Sequence, residues 1–159
     1  MQWLLALETE DDPIPACRLL NIFRRKSVKI GTLTLASQAG GYSLLALVET
    51  AEAEVEHLFN FLRRTEGVRE VTCYRHTPSA NASFVFMDAG ADASRAARLL
   101  AAFPGSELVF ANQGKLLLEV PASAAPEESA IAEAGGIPFS QIMTTRDTPS
   151  PELVQAPAS

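Results

Sequence analysis

The sequence predicts an α+β fold of two tandem units, each running strand, helix, hairpin, helix, strand, and three observations carry this. Ala16, Leu19, Leu20 and Phe23 fall at i, i+3, i+4 and i+7, which places one apolar stripe along a 3.6-residue helix. Val55, Leu58, Phe59 and Leu62 repeat that frame, and Ala96, Leu99, Leu100 and Phe103 open a second copy of the pattern. Short apolar runs bounded by turn residues, such as Trp3 to Leu7 and Phe84 to Met87, separate the helices as strands.

Trp3 to Leu7 is a buried central strand, ended by the polar run Glu8 to Pro13. Asp11 or Asp12 caps the first helix, and Pro13 suits its first turn, where the missing N–H has no partner in any case. Arg24, Arg25 and Lys26 close that helix, where cations oppose the negative end of its dipole. Val28 and Ile30 alternate, Gly31 interrupts, and Leu33 and Leu35 resume with shifted parity, the sequence signature of a β-bulge. Gly40 and Gly41 supply the positive φ of a tight hairpin before the strand Tyr42 to Glu49. Glu52, Glu54 and Glu56 place acid in the first turns of helix two. After Gly67, Val68 to Tyr74 completes a βαββαβ order, the ferredoxin-like plan.

Residues 77–82 are polar and turn-rich, so the first domain is expected over 1–76 and a linker over 77–82. The second ferredoxin-like domain then spans 83–146. Its helix runs from Asp92 to Phe103, and its hairpin turns at Asn112, Gln113 and Gly114. A weaker helix from Pro126 to Ala134 ends at Gly135 and Gly136, and Ile137 to Thr144 closes the unit. The Pro-, Ala- and Ser-rich residues 147–159 are expected to form a disordered tail.

With 159 residues, 47% of them hydrophobic, the composition is that of a globular chain able to form two small domains. A formal charge of -6 repels a phosphate backbone over most of the surface, which argues against nucleic acid as a partner. Two cysteines, Cys17 and Cys73, make neither a metal knuckle nor a disulfide framework, so a reducing cytoplasm is the expected setting. The chain enters its first strand at once, with no basic leader and no membrane-spanning run, so no membrane is expected.

Chemistry-bearing motifs are missing: there is no glycine-rich phosphate loop, zinc spacing or nucleophile elbow. His57 and His76 have no nucleophile motif beside them and read as surface residues rather than general bases. Cys17, next to Ala16, reads as a small, semi-buried thiol. Glu52, Glu54 and Glu56 point apart at i, i+2 spacing, and Glu127 and Glu128 likewise read as solvated acid. No catalytic residue, metal or cofactor is expected.

The stretch Ile22-Phe23-Arg24-Arg25-Lys26-Ser27-Val28-Lys29-Ile30-Gly31-Thr32-Leu33-Thr34-Leu35 resembles the ACT domain of the small, regulatory subunit of acetolactate synthase. The resemblance runs without a gap from Leu4 to Leu35 and continues through Tyr42 to Leu45 and Glu66 to Val71. Ala97 to Phe103, Leu116 to Val120 and Gly136 to Arg146 are similar to the C-terminal domain of that subunit, so the resemblance spans residues 3–147.

The resemblance implies a subunit without activity of its own. Such a subunit forms a homodimer through its ACT domains, activates a thiamine-diphosphate-dependent catalytic subunit in branched-chain amino acid biosynthesis, and confers feedback inhibition by valine. It places an amino-acid effector at the dimer interface, against the loop entering helix one and the start of strand two. Those positions correspond here to Asp11, Asp12, Pro13, Ile14 and Pro15, and to Lys29 and Ile30.

This chain departs from the family at that loop. Where the family has a glycine that lets the main chain approach the effector carboxylate, Ile14 stands here. Pro13 and Pro15 remove two donors, Asp11 and Asp12 add negative charge, and Lys29 supplies a compensating point charge. The expectation is therefore a regulatory subunit whose valine site is altered or lost. The alternative is a stand-alone ACT protein that senses another small ligand or acts as an interaction module.

Overall fold

The computed structural model describes residues 1–78 and 81–146, with Arg146 described by its backbone alone. The tail expected over 147–159, and part of the expected linker, lie outside the described residues. The first unit comprises β1 (Gln2–Thr9), α1 (Pro13–Arg25), β2 (Lys29–Gln38), β3 (Gly41–Glu49), α2 (Glu52–Leu62) and β4 (Val68–His76). The second comprises β5 (Phe84–Asp88), α3 (Ala93–Ala101), β6 (Glu107–Asn112), β7 (Lys115–Glu119), α4 (Glu128–Glu133) and β8 (Gly136–Arg146), with a 3₁₀ turn over Ala122–Ala124. Both halves follow the expected βαββαβ order.

Among the described residues the strands form one sheet in the order β2-β3-β1-β4-β8-β5-β7-β6, every neighbouring pair antiparallel. Each half keeps the strand order its topology demands, and the halves join edge to edge where β4 pairs with β8. A register shift between Cys73 and Tyr74 bends that junction. The bulge expected at Gly31 is present as a shift between Ile30 and Thr32 in the β2–β3 ladder.

Side chains alternate across each strand, so the sheet has two faces with separate cores. On one face of the first half, Trp3, Leu5 and Leu7 pack with Leu19, Phe23, Leu58 and Leu62 of its helices. In the second half, Val85, Met87 and Leu118 pack with Leu99, Phe103 and Ile131. The opposite faces of both halves share a third core, in which Leu4, Leu45 and Tyr74 meet Phe84, Phe86, Phe110, Leu117 and Phe139. Burial of each such Leu or Phe contributes roughly 1.5–3 kcal/mol of transfer free energy. The sheet curls around this core until its end strands meet, and Asn112 Nδ2 of β6 donates to the Leu35 carbonyl of β2 over 3.0 Å.

Three local expectations are corrected. Leu20 is 38% exposed, because α1 buries Pro15, Ala16, Leu19 and Phe23 and is thereby rotated away from it. Cys17, one step beyond Ala16 on the helix, is exposed rather than semi-buried. In the hairpin only Gly40 takes a positive φ, +87°; Gly41 is required by close approach, since a Cβ there would lie 2.0 Å from the Thr9 carbonyl oxygen. No helix among the described residues is long and apolar enough to cross a membrane.

Candidate functional site

The β1–α1 loop is built by its own backbone and clamped to the turn before β4. Glu10 N donates to Gly67 O over 2.9 Å, and Asp12 N donates to Glu10 O over 2.8 Å. Buried Pro15 lies against Gly67, where a Cβ would come within 2.3 Å of its ring. Arg18 adds an exposed ion pair to Glu66 at 3.2 Å.

Of the two candidate caps, Asp12 performs the role: its Oδ1 accepts from Ile14 N at 2.9 Å. A carboxylate of the chain itself therefore occupies the start of α1, where the dipole favours an anion. Pro13 and Pro15 have no N–H to offer. Asp11 is exposed, and Ile14 projects into solvent, 53% exposed.

Lys29 and Ile30 stand elsewhere. Lys29 pairs in register with Glu49, which in turn faces Gln2, whereas the loop follows Thr9 at the other end of β1. Seven steps of strand at about 3.3 Å each separate these levels by about 23 Å. The Lys29 ammonium is engaged by Glu49, Nζ to Oε2 2.8 Å. That hydrogen bond, with the attraction between the charges, raises the Lys29 pKa and lowers that of Glu49. Ile30 is 38% exposed, just before the bulge. Within one chain, then, Asp11, Asp12, Pro13, Ile14 and Pro15 form one cluster and Lys29 and Ile30 another.

The corresponding loop of the second unit retains a glycine. Asp92 caps α3, accepting from Ser94 N at 2.9 Å, and its pKa is lowered first by the Ser94 hydroxyl. Gly90 takes φ +64°, and its N–H donates to Asp88 Oδ1 over 2.9 Å. Asp88 also pairs with Lys115, whose hydrogen bond is the main cause of its lowered pKa. An open cleft of about 790 Å³ lies between this loop and the Asn112 to Leu116 turn.

A feature with no motif in the sequence is the mouth of the curled sheet. Register places Ser43, Glu8 and Glu70 side by side on β3, β1 and β4, and Leu45, Ala6 and Thr72 in the row within. Phe110 and Val109 of β6 close the other wall of a cavity of about 170 Å³. The Thr72 and Thr144 hydroxyls are 2.8 Å apart. Burial, and then the charges of Glu119 and Glu70, push the Tyr74 phenol up to about 12, which keeps it protonated. The alternation that turns Glu8 and Ser43 inward is legible in the strands. That Val109 and Phe110 of β6 line the cavity across from them is not, because that depends on long-range pairing.

No family model and no curated protein matches this sequence. Among solved structures, the chain is similar to the acetolactate synthase small subunit from Thermotoga maritima, at 13% identity over 91% of this chain and 95% of that one, with a TM-score of 0.44. The regulatory subunit of aspartate kinase from Thermus thermophilus is similar at 12% identity over 84% and 92%, with a TM-score of 0.45. The ACT domain from a GTP pyrophosphokinase of Chlorobium tepidum covers 46% of this chain and 96% of its own, at 18% identity and a TM-score of 0.42. These overlaps add nothing to the topology read directly from the strand order.

Proposed function

We propose that this chain is a non-catalytic regulatory subunit of the acetolactate synthase small-subunit type, with an altered or lost valine site, which activates a catalytic subunit in trans. The observation that carries the altered site is the Asp12 carboxylate bonded to Ile14 N, in the place an effector carboxylate needs. The regulatory role itself is supported by the gapless resemblance from Leu4 to Leu35 and by the two βαββαβ units. The division into domains 1–76 and 83–146 about a linker at 77–82 belongs to the same proposal.

Because the loop cluster and the Lys29 cluster lie at opposite ends of β1, an effector touching both needs two copies of the chain. This favours a homodimer through the first units. Ile30, Leu33 and Leu35, each between 38% and 44% exposed on β2, supply apolar surface for it. A cytoplasmic setting follows from the same role.

Two measurements test the proposal. Affinity capture from the native host with mass spectrometry is expected to recover a catalytic subunit whose activity rises on adding the chain. Failure of both co-purification and activation overturns the role. Calorimetry with valine, leucine and isoleucine is expected to show no micromolar binding, and micromolar valine binding at the first unit overturns the altered site. The second reading, a stand-alone sensor of another small ligand, is favoured by the Gly90 loop and its cleft. It predicts capture of no catalytic subunit.

A further inference from the structure

We infer that the outer face of α2 docks against α2 of a second copy of this chain, the two helices running antiparallel about a two-fold axis level with Phe59 and Asn60. This face is separate from the β2 residues assigned to the homodimer above and does not depend on the regulatory role.

The first support is an exposed aromatic in a prepared setting. α2 buries Val55, Leu58, Phe59 and Leu62 and turns Glu54, Glu56, His57, Phe61, Arg63 and Arg64 outward. Phe61 is 51% exposed, and the Lys26 ammonium lies 4.1 Å from the centre of its ring. That cation–π contact ties the end of α1 to the patch. Beside the ring is an open hollow of about 510 Å³, lined by His57, Asn60, Phe61, Arg64 and Thr65. Aromatic and arginine side chains are enriched where proteins meet.

Charge selects the occupant. The helix dipole accounts for acid in the first turns of α2 and base after its last. Among the described residues, however, Glu54, Glu56, Arg63 and Arg64 enter no ion pair, whereas Glu52 is engaged by Arg75 at 3.2 Å. Within one helix they are out of reach, since ten residues at about 1.5 Å each put Glu54 about 15 Å from Arg64. An antiparallel copy brings them together.

With the axis at Phe59 and Asn60, Glu54 faces Arg64, Glu56 faces Arg63 and His57 faces Phe61 of the second copy, and the symmetry repeats each pair. Positions seven apart share a side of a helix, so Glu56 and Arg63 lie on one flank and Glu54 and Phe61 on the other. The two-fold axis sets like flank beside like flank, so acid meets base on both. Two chains of net charge -6 repel overall, and this local matching offsets that repulsion. One pair of short helices buries less than the roughly 1,200 Å² of a standard interface, so the association is weak and concentration-dependent.

The test is sedimentation of the full chain between about 10 and about 500 μM, a range that spans weak dissociation constants. The parent chain is expected to gain one step of association. The double variants Glu54→Arg with Glu56→Arg, and Arg63→Glu with Arg64→Glu, are each expected to weaken that step more than about tenfold, since like charges then face each other. An equimolar mixture of the two is expected to regain it, because each then meets the opposite charge in the other. A parent chain that shows no association leaves this face to an acidic partner and overturns the assignment. Association indifferent to both double variants, as a dimer through β2 alone would be, also overturns it, as does a mixture of folded variants that regains nothing. Where a charge variant fails to fold, Phe61→Ser carries the test: it removes a half-exposed ring, is expected to weaken association, and overturns the assignment if association is unchanged.

Discussion

Asn112 and Leu35, 77 residues apart in sequence, are joined by a side-chain-to-carbonyl hydrogen bond of 3.0 Å between the two end strands of the sheet. Elsewhere the halves are held by the β4–β8 ladder and by the shared inner core. Asn112→Ala removes the link without disturbing either. The expected cost is about 1 kcal/mol or less, since the bond is exposed. Far-UV circular dichroism is expected to stay unchanged while amide exchange quickens at the ends of β2 and β6. Unchanged exchange there would show that the bond does not restrain the two edges.

Glycines in this fold divide by what surrounds them. Gly114 takes φ +80°, and a Cβ there would lie 1.7 Å from the Gly90 carbonyl oxygen, so Gly114→Ala faces both backbone strain and a collision. Gly105 takes a similar φ of +78° with nothing within 4 Å. Gly105→Ala is expected to cost about 1 kcal/mol from φ alone, and Gly114→Ala more than about 2 kcal/mol. Urea midpoints of the two variants measure the difference.

The order of elements was legible because each carries a local signal. The stripes place the helices, Asp12 and Asp92 cap them, and the parity change about Gly31 marks the bulge. Pairing of β4 with β8 was not legible, since nothing local selects the partner of an edge strand. A hint of closure was nevertheless present. A sheet with one wet face alternates, whereas Trp3 to Leu7 and Leu44 to Val48 are apolar at every position, as strands covered on both faces are. Site residues divide the same way: the loop cluster follows from Pro13, Ile14 and Pro15, while the Lys29–Glu49 pair and the placing of Phe110 on the wall of the cavity that Ser43 lines depend on pairing between distant strands.

Phe139 belongs to β8 of the second unit, is fully buried in the inner core, and stacks at a tilt against His76 of the first, ring centres 5.8 Å apart. It couples the halves. Phe139→Ala is expected to cost roughly 3–5 kcal/mol, the range for emptying a buried aromatic site. Because both halves contribute to that core, thermal unfolding of the variant is expected to stay a single transition at lower temperature. Two separated transitions would show that the halves melt independently.

Cys73 and Tyr74, adjacent on β4, face opposite cores, and burial pushes both acids up to about 12, from 9.0 and 10.0 respectively. Groups whose pKa is raised by folding hold their protons in the native state. Their contribution is therefore intact below about pH 9 and is lost as pH rises toward 12, where the unfolded chain has released protons that the folded chain still retains. Each such group lowers stability by up to about 1.4 kcal/mol per pH unit within that window. Tyr74→Phe keeps the ring, which sits 4.6 Å from that of Phe84, and removes one titration. Urea midpoints measured from pH 8 to pH 11 are expected to fall less steeply in that variant than in the parent chain. The same burial separates the thiols: at pH 8 a disulfide reagent is expected to label exposed Cys17 at once and Cys73 only after unfolding. Rapid labelling of both in native buffer would contradict the closed packing around β4.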